Sequence, residues 1–212
     1  MINFNNLKYY DKPYKHLVID DFFNDPLIYK KLYDDSGNQR IEYNGIDGIK
    51  NRDDLKKYFH ENVLPFLLDK IEEYFGEVDR DVWVEDVHIK NDSWEKRISN
   101  NPEFISSEYL IGRASHIDGP SKKYPMLIYF DDGNEEQGIP NYAGSFQLMN
   151  WENPDEVLKT IDFKNNRALI FEASCISFHK YWCRPKNRFN LNIPIISNKN
   201  NHELTQHYKN KE

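Results

Sequence analysis

The sequence predicts a mainly β domain whose helices are confined to its N-terminal third. Two observations predict this class. Helical spacing of apolar residues occurs only before Gly76, whereas short apolar runs and apolar–polar alternation dominate after Val82. Tyr and Phe, with 14 and 13 residues, supply much of the apolar content, and aromatic residues favour strands. Short strands without intervening helices indicate an antiparallel sandwich or barrel.

The 212 residues have the length of one domain. No internal repeat and no linker divides the chain, so residues 1–212 are predicted to form a single unit. Its predicted parts are an N-terminal strand with helices over about residues 16–76, a β core over about 82–196, and a polar tail over 197–212 that frays.

The first predicted elements are a strand and a short helix. The stretch HLVIDDFF (16–23) has the apolar content of a strand. Asp25 followed by Pro26 is typical of a helix cap and first helical position, which predicts a helix through LIYKKLYDD. Residues 36–52 contain three of the nine glycines and are predicted to be a loop.

A longer helix is predicted from Asp53 to Phe75. Apolar residues recur there every four positions, which places them on one helix face. Gly76 is a typical C-terminal stop, and Pro65 should kink or split the helix because it has no amide hydrogen to donate.

Seven candidate strands follow, separated by Gly, Pro, Asn and Asp. They are VWVEDVHIK, EYLIGRASHID, YPMLIYFDD, GSFQLMNW, RALIFEA, SFHKYW and RFNLNIPI.

Charge and hydropathy argue against two classes of partner. The formal net charge is −7 and the sequence pI is about 5.5, so a nucleic-acid-binding surface is not expected. No apolar run approaches the roughly 20 residues that span a bilayer, and the first residues contain no signal-peptide core. Cys175 and Cys183 fit reduced thiols better than a disulfide framework. A cytoplasmic protein with no membrane partner is therefore expected.

A possible metal site begins at His116 and Asp118. Side chains at i and i+2 of a strand share a face, so this imidazole and carboxylate point the same way at a predicted strand end. His179 follows another apolar strand and would supply a third donor if the two segments meet. Two histidines and one carboxylate are the facial set of non-haem Fe(II) oxygenases, which leaves positions for a bidentate co-substrate and O2. The alternative is a chance pair of hydrogen-bonded side chains.

An arginine strengthens the metal interpretation. Arg188 lies beyond the turn RPKN from His179, and this spacing predicts that the two lie on adjacent antiparallel strands. Arg188, Asn190 and Asn192 alternate with apolar residues and therefore share one face. A buried guanidinium needs an anionic partner, and a bound carboxylate would provide one.

His116, Asp118, His179 and Arg188, in that order, resemble the Fe(II)- and 2-oxoglutarate-dependent oxygenases, in particular their prolyl-4-hydroxylase-like branch. Three flanking stretches agree with the same branch: KHLVIDDFFNDPLIYKKL, YPMLIYFDD and YAGSFQLMN. The resemblance covers about residues 16–196. It implies a double-stranded β-helix core of the jelly-roll or cupin-like kind.

The resemblance also implies roles for individual residues. His116, Asp118 and His179 would bind Fe(II). Arg188 would pair with the distal carboxylate of 2-oxoglutarate, assisted by Tyr129 and Asn190. A slip of one residue in the comparison would place Phe130 where Tyr129 stands.

The implied activity is hydroxylation of an unactivated C–H bond, with O2 and 2-oxoglutarate consumed and succinate and CO2 released. The presence of Asp118 favours hydroxylation, desaturation or cyclisation, because halogenase relatives carry Gly or Ala at this ligand position. The substrate would be a small polar metabolite, an amino acid or a peptidyl residue, and loops 36–52 and 91–107 are candidate lids. The alternative is a cupin-like module that binds a metal or small ligand without catalysis.

Overall fold

The computed structural model describes residues 2–25, 40–43, 46–49, 53–91, 111–130, 144–182 and 189–199. Two helices and fourteen strands are found among these residues. The elements of the N-terminal half are β1 (Asn6–Tyr10), β2 (His16–Asp20), β3 (Arg40–Tyr43), β4 (Ile46–Ile49), α1 (Asp53–Asn62), α2 (Leu64–Phe75), β5 (Val82–Val84) and β6 (His88–Asn91). Those of the C-terminal half are β7 (Ile111–His116), β8 (Met126–Phe130), β9 (Phe146–Met149), β10 (Val157–Ile161), β11 (Arg167–Phe171), β12 (His179–Trp182), β13 (Phe189–Ile193) and β14 (Ile195–Ser197).

The strands form two main antiparallel sheets and one short pair. The large sheet has the order β1-β2-β11-β8-β13-β6-β4-β3, and the small sheet has the order β10-β9-β12-β7. β14 pairs with β5. From β6 to β13 the chain passes repeatedly between the large and the small sheet. The prediction of a mainly β, antiparallel fold with N-terminal helices is confirmed, and the arrangement is consistent with a jelly-roll core.

Alternation along the strands of the large sheet gives it two apolar faces. One face forms the helix-side core, where Met126, Ile128 and Phe130 of β8 join buried residues of α1 and α2. The other face contributes to the intersheet core, which contains Tyr14, Val18, Tyr129, Phe146, Leu148, Ile161, Leu169 and Phe171. Each fully buried Leu or Ile contributes about 1.5–3 kcal/mol to folding, so these two clusters hold the helices and both sheets together.

The predicted helix over residues 53–75 is present as two helices. α1 ends at Asn62 and α2 begins at Leu64, with Pro65 in the first turn of α2, where a missing amide hydrogen costs nothing. Gly76 ends α2 with a φ of 92°, and its amide donates to the Glu72 carbonyl at 3.1 Å. The predicted split and stop are both confirmed. Neither described helix combines the length and apolar character needed to cross a bilayer.

Several predicted boundaries differ from the structure. The predicted loop over residues 36–52 contains the β3–β4 hairpin. The segment VWVEDVHIK holds two strands, β5 and β6, and RFNLNIPI holds β13 and β14, which separate at Pro194 because proline cannot continue a hydrogen-bonded ladder. Ser197 belongs to β14 rather than to a fraying tail, and its hydroxyl donates to Asp79 at 2.7 Å.

Other predicted elements lie outside the described residues. They are the helix after Pro26, most of the candidate lid over 91–107, and the tail from residue 200 onward.

Candidate metal centre

The first two candidate donors stand at the end of β7. β7 ends at His116, shortly before Gly119 and Pro120 turn the chain away from the sheet. Asp118 lies two residues past His116 and is 8% exposed. β12 pairs with β7, and the register places His179 directly opposite His116. Pairing of these two strands therefore brings together residues that are far apart in sequence.

The three side chains converge. One ligand atom from each of His116, Asp118 and His179 lies within 4.8 Å of the others, and these residues could hold a metal ion. Nε2 of His179 is 3.8 Å from Oδ2 of Asp118. Two donors that each lie about 2.1 Å from a common ion are at most about 4.2 Å apart, so this pair is already within reach of one ion. The donor set fits a divalent transition metal.

Hydrogen bonding selects the tautomer of His179. Its Nδ1 is 2.9 Å from the Ser177 carbonyl oxygen, which can only accept a hydrogen bond. Nδ1 therefore carries the proton, and Nε2 presents its lone pair on the side of Asp118. Ser177 is fully buried, and its hydroxyl donates to the Ser174 carbonyl and accepts from the Ser174 amide, both at 2.9 Å. This turn orients the imidazole before any ion binds.

Aromatic rings enclose His179. Its ring stacks on Phe146 at 5.0 Å and lies 5.1 Å from Phe171 at a tilted angle. The His116 ring lies 4.4 Å from that of His179. His179 is only 5% exposed, so packing against these rings restricts its rotamer.

The electrostatics keep Asp118 ionised. Burial by itself would raise the pKa of this carboxyl, but its electrostatic interactions with His179 and Lys122, together with the hydrogen bond from Lys122, outweigh burial and hold the pKa below its ordinary value. The Lys122 ammonium lies 2.5 Å from Oδ1 of Asp118. Burial and the negative charge of Asp118 raise the pKa of Tyr14, whose hydroxyl donates to the Phe178 carbonyl at 3.2 Å. Asp118 is therefore a charged donor in a site of low exposure.

The predicted co-substrate residues are partly described. Arg188 lies outside the described residues. Tyr129 and Asn190 are buried and stand opposite each other in the register of β8 and β13. Tyr129 belongs to the intersheet core and Phe130 to the helix-side core, so Tyr129 and not Phe130 faces the small sheet. Nδ2 of Asn190 has no hydrogen-bond partner within the part of the chain that the structure describes.

One sequence-based expectation about this region is wrong. The sequence predicts that His179 and Arg188 lie on adjacent antiparallel strands. β12 instead pairs with β7 and β9 in the small sheet, and β13 pairs with β6 and β8 in the large sheet. The chain changes sheet between residues 182 and 189. The expected alternation of faces in β13 holds, because Leu191 and Ile193 belong to the helix-side core.

Sequence reasoning missed three residues around the metal site. Lys122 follows Asp118 by four positions. This spacing predicts a contact between the two side chains only if the conformation of the intervening turn is known. Ser177 and Tyr14 act through backbone contacts that no side-chain pattern reveals.

The sequence matches no protein-family model and no curated protein. Solved structures do share the fold. A prolyl 4-hydroxylase from Phytophthora capsici has a TM-score of 0.53 and 15% identity, with 87% of this chain and 59% of that chain covered. This chain therefore spans less than two thirds of the Phytophthora protein.

Two further structures are covered over most of their length. A prolyl hydroxylase from Trichoplax adhaerens, in complex with a peptide fragment of the hypoxia inducible factor oxygen degradation domain, has a TM-score of 0.55 and 13% identity, with coverage of 90% of this chain and 86% of that one. An oxidoreductase of the 2OG-Fe(II) oxygenase family from Burkholderia pseudomallei has a TM-score of 0.53 and 11% identity, with coverage of 87% and 85%. The predicted resemblance is confirmed at the level of fold: the chain is built like prolyl hydroxylases and other 2-oxoglutarate oxygenases.

Proposed function

We propose that this protein is an Fe(II)- and 2-oxoglutarate-dependent dioxygenase that hydroxylates an unactivated C–H bond, with release of succinate and CO2. The observation that carries the proposal is the convergence of His116, Asp118 and His179, whose candidate ligand atoms all lie within 4.8 Å of one another. The fold shared with prolyl hydroxylases supports the same reaction class.

The core of the enzyme is proposed to be a double-stranded β-helix. Strands β6, β13, β8 and β11 are contiguous in the large sheet, and residues of β8 and β11 pack with residues of β9 and β10 of the small sheet in the intersheet core. In this proposed core, His116 and His179 of the small sheet and Asp118, just past the end of β7, would supply the metal donors.

His116, Asp118 and His179 would hold the iron. When bound, Fe(II) supplies the O2 and one-electron chemistry that amino-acid side chains lack. The chain contributes a tautomer of His179 set by the Ser177 carbonyl, an ionised carboxylate, and aromatic walls that restrict water. Three protein donors leave the remaining coordination positions for small reactants.

Arg188, Tyr129 and Asn190 are proposed to bind 2-oxoglutarate. Tyr129 and Asn190 stand opposite each other on the sheet face that points toward the small sheet. The Asn190 amide group is a buried donor, and a carboxylate is an acceptor that would satisfy it. Arg188, two residues before Asn190, would add the charge that matches the distal carboxylate.

The substrate is proposed to be a peptidyl residue, a free amino acid or another small polar metabolite. The Trichoplax structure contains a bound peptide fragment, which favours the peptide class by analogy. Asp118 supplies a third protein donor, which favours hydroxylation, desaturation or cyclisation. A cytoplasmic location is proposed from the cysteine usage of the sequence.

Anaerobic titration tests the proposal. Fe(II)-loaded protein should develop a weak visible charge-transfer band when 2-oxoglutarate is added, and succinate should form once O2 is admitted. His116→Ala should abolish both signals, whereas His60→Ala, which changes an exposed histidine of α1, should leave them intact. Metal binding without the band and without succinate would favour the non-catalytic cupin-like module instead. Proline-containing peptides and free amino acids, compared for stimulation of succinate release, would then define the substrate class.

A further inference from the structure

The two carboxylate oxygens of Asp118 have different neighbours. Oδ1 accepts a hydrogen bond from the Lys122 ammonium at 2.5 Å, whereas Oδ2 lies 3.8 Å from Nε2 of His179. Charge-assisted hydrogen bonds of this kind are about twice as strong as neutral ones. One oxygen is therefore engaged by a cation, and the other is on the side of the candidate metal centre.

The backbone around Lys122 is held in place. Its amide donates to the Gly119 carbonyl at 3.0 Å, and Lys122 forms a β-bridge with Ile196 of β14. The next amide, of Lys123, donates to the Ile195 carbonyl at 2.8 Å. The stem of Lys122 thus starts from an ordered turn, which lowers the entropy lost when the ammonium engages Asp118.

We propose that Lys122 is a positioning residue that restricts Asp118 to a single metal-binding oxygen, Oδ2. This inference rests on the proposed metal centre. A carboxylate that bound through both oxygens would occupy a fourth position on the ion and leave two open positions instead of three. Because Lys122 keeps Oδ1 engaged, the centre retains room for a bidentate co-substrate together with O2.

Mn(II) is the probe for this inference, because water-proton relaxation counts the exchangeable waters on the ion without any turnover. An octahedral ion with three protein donors keeps about three waters, and a bidentate Asp118 would leave about two. The relaxivity of the Mn(II) complex of Lys122→Met is therefore expected to fall by about one third. Lys122→Leu, which removes both the charge and the hydrogen-bond donor, is a second variant with the same expected fall.

Two controls separate positioning from a general effect of charge or stability. Lys123→Met removes the same charge one residue along and should keep the relaxivity of the unaltered protein. Lys122→Arg retains a cationic donor and should restore it. Equal relaxivity in the unaltered protein and both neutral variants would overturn the inference. Complete loss of Mn(II) binding in the neutral variants would also overturn it, because Lys122 would then be required to form the metal centre rather than to restrict Asp118 to one oxygen. Failure of the unaltered protein to bind Mn(II) would instead refute the metal centre itself.

Discussion

His116 and His179 face each other across the paired strands β7 and β12, with ring centroids 4.4 Å apart. The relationship joins two distant segments of the chain at one point, next to Asp118. The candidate metal site therefore depends on the pairing of β7 with β12, and a change in the register of these strands would separate its two histidines.

Loss of one imidazole should remove most of the metal affinity. His179→Ala deletes a direct donor, and its effect on the Kd for Co(II) should exceed the roughly 10–100-fold that loss of a supporting partner usually costs. Calorimetric titration of the metal-free protein measures this directly. His60→Ala serves as the matched control and should bind as the unaltered protein does. Undiminished binding by His179→Ala would show that the three residues do not form the site.

Ser177→Ala should weaken both the fold and the metal site. The variant loses two side-chain hydrogen bonds of the Ser174–Ser177 turn and keeps the backbone hydrogen bond from the Ser177 amide to the Ser174 carbonyl at 3.2 Å. This loss lowers the free energy of unfolding by about 1–3 kcal/mol. Since the same turn orients His179, the Kd for Co(II) should rise by about 10-fold. Urea unfolding and metal titration provide the two readouts. Ser121→Ala, which removes a hydroxyl at an exposed position, should change neither.

Stability should decrease as the pH is lowered from about 6.5 toward 4 because of His16. Burial lowers the pKa of this histidine to about 4, opposed by its hydrogen bond to the Tyr14 carbonyl and reinforced by the charge of Lys159. In that window the unfolded chain binds a proton that the folded chain does not, so the free energy of unfolding decreases by up to about 2 kcal/mol after allowance for solvent screening.

His16→Phe should remove this part of the pH dependence, because phenylalanine keeps the aromatic contact with Tyr10 but does not titrate. Urea unfolding at pH 7, 5.5 and 4.5 gives the free energy of unfolding at each pH, and its slope against pH is compared between the variant and the unaltered protein. His60→Gln is the control and should retain the slope of the unaltered protein. A His16→Phe slope equal to that of the unaltered protein would contradict the assignment.

A different group governs stability in stronger acid. Asp20 accepts hydrogen bonds from Nε and Nη2 of Arg167 at 2.6 and 3.1 Å, and these contacts hold its pKa below the ordinary 3.8. The ionised form therefore contributes stability above about pH 4, and this contribution is lost as the pH falls through the lowered pKa of the folded state.

Asp20→Asn should cost about 1–2 kcal/mol at pH 7, and the difference from the unaltered protein should shrink on acidification to pH 3. Thermal unfolding over this range is the measurement. Glu152→Gln, which neutralises an exposed carboxylate, should show no such convergence. A constant difference at all pH values would mean that packing rather than charge makes Asp20 important.

Local sequence signals predicted the central elements of the fold. A short apolar run marked β8, apolar–polar alternation marked β13, and Pro65 and Gly76 marked the division and end of the helices. β1, β3, β4 and β10 were missed. Three of them, β1, β3 and β10, lie at the edge of a sheet, and β4 lies next to the edge strand β3. An edge strand pairs on one side only, and the mixed burial of β1 and β10 leaves no clear alternation to detect.

The candidate site was predictable in composition but not in all of its geometry. The spacing of His116 and Asp118 follows from the period of a strand, and this part needs no tertiary information. The arrival of His179 opposite His116 depends on long-range pairing. β12 and β13 belong to different sheets. Apolar–polar alternation within each strand does not indicate which sheet the strand joins, so this feature could not be predicted from the sequence.

The bridge between Lys122 and Ile196 has a consequence for the order of biosynthesis. Residues 195–197 flank the turn that follows Asp118, and the Ser197 amide donates to the Ser121 carbonyl at 3.0 Å. While residues 195–197 are still inside the ribosome, the emerging chain lacks the strand that supports this turn. The proposed metal centre is therefore expected to bind its ion only after residues 195–197 have left the ribosome, and a chain stalled before Ile195 should not retain the ion.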